Sequence, residues 1–171
     1  MNNLRNKFCR SFTLIEILLY LGLATFIMLA VVAFLALALT SQVKNHTASE
    51  VEQQGQMVTQ NITQAIRNAN LVNSPGQGSS AATISLNMLD GAKNPTIFDL
   101  AGGKIRVKEG SGSEVELTNN QVTASSLNFQ NLSRDSTPGV VRITFTLSYV
   151  NPENRNEYDC AKTFRATASL R

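Results

Sequence analysis

SFTLIEILLYLGLATFIMLAVVAFLALALTSQVKNH, residues 11–46, sets one carboxylate, Glu16, at the head of an unbroken apolar run. Arg5, Lys7 and Arg10 stand just before it, and no charged side chain occurs from Ile17 to Val43. Positions 17–39 hold only Gly22 and Thr25 as weak interruptions. As a helix they reach about 34 Å, enough to cross a hydrocarbon core of ~30 Å. A secretory signal has a shorter apolar region of about 7–15 residues. The Ala36-Leu37-Ala38 triplet therefore follows a run too long for cleavage there. Cys9 precedes the run, which excludes a lipoprotein arrangement. The basic flank keeps the N-terminus in the cytoplasm and the C-terminal region outside, since the far flank offers only Lys44 and His46 before acids appear. An ionised carboxylate in the bilayer costs at least roughly 2.5 kcal/mol. By position alone Glu16 is an interfacial acid favoured by the helix dipole.

Beyond this segment the chain of 171 residues leaves about 130, enough for one modest core. The net charge of +3 is unevenly placed. Fifteen basic side chains less Arg5, Lys7 and Arg10 leave 12, against 12 acidic ones, so bulk charge implies no nucleic-acid surface. Cys9 and Cys160 lie on opposite sides of the apolar run and do not pair if it spans a bilayer. Cys160 then reads as a small buried hydrophobe, with an intermolecular disulfide as the alternative.

TASEVEQQGQMVTQNITQAIRNANLV, residues 47–72, places apolar or small residues at Val51, Gly55, Val58, Ile62, Ala65, Ala69 and Val72. Steps alternating four and three predict one long helix from near residue 12 to near 71, with a stripe facing the chain's own sheet. Gly55 inside it is a weak point worth about 1 kcal/mol. Residues 73–81, NSPGQGSSA, read as the loop that ends it. The period then becomes two, at Ile84–Met88, Ile105–Val107, Val115–Leu117, Leu127–Phe129 and, most clearly, Val141–Tyr149. A last strand sets Tyr158, Cys160, Phe164, Ala166, Ala168 and Leu170 on one face, after a reversal at Asn151–Asn154. The expected fold class is α+β, a long N-terminal helix packed on a C-terminal antiparallel β-sheet.

Catalytic constellations are missing from this pattern. The lone histidine, His46, sits beside the apolar run, so no Ser-His-Asp or Cys-His site forms around the C-terminal region. No metal-spaced cysteine pairs, phosphate-binding glycine loop or HExxH occurs. Asp90, Asp99, Glu153, Glu157 and Asp159 fit no calcium loop. Lys104, Arg106 and Lys108 share a strand face, read as a solvated face or edge guard. A DNA-binding stripe would need aromatic partners between them. Asn61-Ile62-Thr63 and Asn131-Leu132-Ser133 match glycosylation sequons of the kind that arise by chance. The expectation is no enzyme, cofactor, metal or small-molecule substrate.

The basic leader, S-FTLIE and the uninterrupted apolar helix resemble the N-terminus of type IV prepilins and pseudopilins, over about 30 residues. The resemblance implies cleavage by prepilin peptidase between Ser11 and Phe12, N-methylation of Phe12, and assembly with other pilin or pseudopilin subunits. It also implies that Glu16 neutralises the amine of Phe12 in a neighbouring copy, gaining a cationic partner in an apolar setting. Ser11 stands where the family usually has glycine, and no proline precedes Pro75. The implied parts are a cytoplasmic leader (1–11), a transmembrane and assembly half-helix (12–43), an amphipathic half-helix (44–72) and an antiparallel β head (73–171). The expected location is the cytoplasmic (inner) membrane, single-pass, and then a pilus or type II secretion filament, with the chain as a minor subunit. The alternative is a membrane-anchored extracytoplasmic binding domain that never polymerises.

Overall fold

The computed structural model describes residues 13–135 and 139–171. Helix α1 runs Leu14–Asn68, and the chain divides into two compact units, Met1–Ser41 and Gln42–Arg171. In the first unit the large apolar side chains from Leu14 to Leu39 are exposed. The most apolar window of α1 has a mean hydropathy of 2.6, and the helix is long and apolar enough to cross a membrane. The chain is compatible with a single-pass membrane protein.

The second unit packs α1 from Gln42 onward against antiparallel sheets. Its buried helix positions are Thr47, Val51, Gly55, Val58, Ile62 and Ile66. In the last helical turn Ile66 is the fully buried position, while the expected Ala65 is half-buried against the core. Strands follow as β1 (Ala69–Ser74), β2 (Ser80–Ala81), β3 (Ile84–Met88), β4 (Thr96–Ala101), β5 (Lys104–Glu109), β6 (Val115–Glu116), β7 (Val122–Asn131), β8 (Val140–Tyr149) and β9 (Ala161–Ser169). A 3-10 turn at Gly91–Lys93 is capped by the Asp90 carboxylate, which accepts from the Ala92 N–H.

Two sheets form where the alternation alone suggested one. The first has the order β1-β3-β4-β5-β6 and the second β2-β7-β8-β9, with every pair antiparallel. β4 and β5 are joined by Gly102-Gly103, both at positive φ (58° and 73°). A two-residue hairpin that follows strand twist demands this conformation, and glycine adopts it without a Cβ penalty. The Gly103 carbonyl also accepts from the Ala124 N–H at 2.8 Å, tying this hairpin to β7.

The core joins Val51, Val58, Ile62 and Ile66 of the helix to Ile84, Leu86, Phe98 and Ile105 of the first sheet. Phe129, Val141, Ile143, Phe145 and Leu147 come from the second. Burying each such side chain contributes roughly 1.5–3 kcal/mol.

Several boundaries shift from expectation. The helix ends at Asn68, and Ala69–Ser74, assigned to the helix end and the following loop, is β1. Its Ala69-Asn70-Leu71-Val72 run satisfies helical spacing, but pairing with β3 and burial of Ala69 win. Strand β4 lies in a stretch the alternation left unassigned, because its inward positions include polar Thr96 while apolar Ile97 faces the other way beside Phe98. The last strand begins at Ala161, not Tyr158. Residues 150–160 form a shaped connection in which Asn151 Nδ2 donates to the Arg155 carbonyl at 2.9 Å and Asn151 Oδ1 accepts the Arg155 N–H at 3.0 Å. Gly55, expected to be a weak point, is a point of close approach. A Cβ there would overlap the ring of Phe164, which stacks on Phe145 with centroids 5.2 Å apart.

Candidate functional site

Glu16 sits in the first turn of α1, where the helix dipole favours an anion by about 0.3–1 kcal/mol. The turn is closed on the Thr13 carbonyl, which accepts from the N–H groups of Glu16 (3.0 Å) and Ile17 (3.3 Å). One turn further on, the Tyr20 hydroxyl donates to Glu16 Oε1 at 3.3 Å. A carboxylate has about four acceptor positions, so this arrangement leaves room for a cationic donor. Tyr20 was overlooked in the sequence, although its i,i+4 spacing from Glu16 is the signal that brings two helix side chains together. Ser11 and Phe12, the expected cleavage and methylation positions, lie outside the described residues, as does Cys9.

Two of the three cations on β5, Lys104 and Arg106, are held within the unit. Arg106 donates to Asp99 through Nε (3.0 Å) and Nη2 (2.6 Å), and through Nη1 to Glu114. The Asp99 hydrogen bonds, with the charge of Glu114, raise the guanidinium pKa above its ordinary value. Lys104 Nζ donates to the carbonyls of Asn119 and Val122. These two positions are therefore clamps within the unit, which is more than the solvated face expected of them.

The remaining candidates disperse. His46 is exposed, and Cys160 is half-buried against the core where full burial was expected. Among the described residues, no three or more His, Cys, Asp or Glu side chains gather as metal ligands. Asp90 caps the 3-10 turn, and Glu157 accepts from Arg155. Asn131, noticed only as a sequon, is buried with 2% exposure. Its Nδ2 donates to the Pro75 carbonyl at 2.8 Å, and its Oδ1 accepts from the Ser133 N–H at 3.0 Å. The amide nitrogen that a sugar would use is already engaged.

Contacts from α1 to β9 and to the β6–β7 connection form part of the second unit's polar rim. Lys162 Nζ donates to Glu52, and this hydrogen bond, helped by Gln56, lowers the Glu52 pKa. Asn119 Nδ2 donates to Glu50 at 2.6 Å. Compared with protein-family models, curated proteins and solved structures, the chain matches none.

Proposed function

We propose that the chain is a structural subunit, a minor pilin or pseudopilin, of a type IV pilus or type II secretion filament. The observation that carries this reading is Phe12-Thr13-Leu14-Ile15-Glu16 between a basic leader and the apolar run. Prepilin peptidase cuts between Ser11 and Phe12, and Phe12 is N-methylated. The N-terminus lies in the cytoplasm and the head on the far side of the membrane. The apolar helix then leaves the bilayer to pack against those of other subunits.

Glu16 gives this assembly its register. In the bilayer its carboxylate has the Tyr20 hydroxyl as a neutral donor, and the membrane penalty persists. Beside the Phe12 amine of another subunit it gains an opposite charge in surroundings of low dielectric, where attraction is strongest. A subunit set at the wrong height leaves both charges unpaired and desolvated, which is the costly arrangement. The exposed apolar helix of the first unit supports the reading, because such a surface needs lipid or other helices to cover it. Mass spectrometry of the mature protein tests it. A chain that begins with N-methylated Phe12 is expected, and an intact Met1 start refutes it.

A further inference from the structure

The outer face of the β7–β8–β9 sheet carries two guanidinium groups and no acid. Arg142 on β8 stands opposite Gln130 on β7 and Thr167 on β9, while Arg165 on β9 stands opposite Thr144. Both arginines are exposed, and together they edge a shallow depression of about 380 Å³. Arg142 has a single long hydrogen bond, 3.5 Å to Gln130 Oε1. Among the described residues neither arginine is in an ion pair, whereas Lys93, Arg106, Arg155 and Lys162 each meet a carboxylate. Strands β7, β8 and β9 contain no Asp or Glu at all.

The chain carries the complementary feature elsewhere. The β8–β9 connection is held in shape by the Asn151–Arg155 bonds, by Asn154 at φ 51°, and by Tyr158 stacked on Tyr149 at 5.8 Å. Within it Glu157 is taken by Arg155. Glu153 and Asp159 are exposed, and among the described residues neither is in an ion pair. Lys44 influences Glu157 electrostatically and Glu153 acts on Arg155, so this end of the unit is mixed in sign, with Asp159 and Glu153 outside any ion pair among the described residues at the acidic side of the loop. The connection leaves the sheet at the Ser148–Ala161 pair. Arg142 is six residues back along β8 and Arg165 four residues on along β9, about 20 Å and about 13 Å at strand rise. The acids and the arginines therefore sit too far apart to pair within one chain.

We propose that the Arg142–Arg165 face receives the Glu153–Asp159 loop of a second copy of this chain. The proposal rests on the filament reading and adds a head contact to it. Two different patches of one chain meet, so the contact is heterologous, and a heterologous contact that does not close propagates as an open helix. Exposed charge pairs of this kind act chiefly on encounter and choice of partner, and salt screens them over about 10 Å at 0.1 M.

Sedimentation of the full chain in detergent, at low and high salt, tests the contact. Wild type is expected to self-associate at low salt, and salt to weaken it. Arg142→Glu/Arg165→Glu is expected to weaken low-salt association about tenfold, a change of about 1.4 kcal/mol. Mixing that variant with Glu153→Arg/Asp159→Arg is expected to restore association. Thermal melting of each variant checks that it folds. Association unchanged by charge reversal overturns the contact, as does a failure of the mixed variants to recover. Either result leaves the filament reading standing if mature chains begin at N-methylated Phe12. A full Met1 start removes the filament reading, and the charge-swap result then decides the contact by itself.

Discussion

Replacing Gly55 by Ala separates two opposed effects at one position. Helix propensity alone favours the substitution by about 1 kcal/mol, because glycine loses more backbone entropy than alanine. The structure opposes it. A Cβ at residue 55 would overlap the ring of Phe164, and that ring is itself stacked on Phe145 at 17° and 5.2 Å. Forcing extra volume into such a contact costs about 1–3 kcal/mol. Displacing Phe164 from its stack adds about 0.5–1.5 kcal/mol. The net expectation is a loss of about 0.5–3.5 kcal/mol. For a unit of this size that lowers the melting temperature by about 2–10 °C. The assay is thermal unfolding of the full chain in detergent, followed by far-ultraviolet circular dichroism and by the fluorescence of Tyr149 and Tyr158. Gly55→Ala combined with Phe164→Leu, which frees space, is expected to recover part of the loss. A rise in melting temperature for Gly55→Ala would refute the close-approach reading, for it would mean that backbone entropy decides at this position.

Three further outcomes are expected. Glu16→Ala leaves membrane insertion intact and reduces recovery of the chain in sheared filaments; normal recovery counts against the register role. Asn131→Ala leaves the buried Pro75 carbonyl and the Ser133 N–H without their partner, and costs about 2–3 kcal/mol in denaturant unfolding. Asn128→Ala, at an exposed position of the same strand, costs under about 0.5 kcal/mol. The third concerns pH. The Glu52 pKa is lowered by Lys162 and then by Gln56, so the folded state binds this proton more weakly than the unfolded chain. The resulting stability is present above the ordinary value of 4.5 and fades as pH falls through the lower folded value. Glu52→Gln should therefore flatten the melting temperature against pH below about 4.5, with little change in slope near neutrality.

Much of the architecture was legible because it follows from local periodicity. The uncharged run after Glu16 needs only length and hydropathy to be recognised as a possible span. The in-out alternation of Val141, Ile143, Phe145 and Leu147 is read at period two, and these residues are buried in the order expected. The buried helix face was also readable, up to Ile62. Glu16 stood out as a candidate because an acid at the head of an apolar run is costly wherever it lies.

The remaining features depend on which segments meet in space. Ala69–Ser74 has helical spacing, but its hydrogen bonds go to β3, a choice made by a partner more than ten residues away. The division into two sheets comes from β2 pairing with β7 while β3 pairs with β1 and β4, and no local pattern encodes that. Gly55 reads as a helix flaw until Phe164, over a hundred residues later, occupies the space a side chain would fill. The apparent basic stripe loses Arg106 to Asp99 and Glu114, and Lys104 to backbone carbonyls, so charge read along a strand overstated what is free to bind. Periodicity belongs to the chain and survives alone; pairing, clamping and close approach are relations between distant residues, and only the folded structure supplies them.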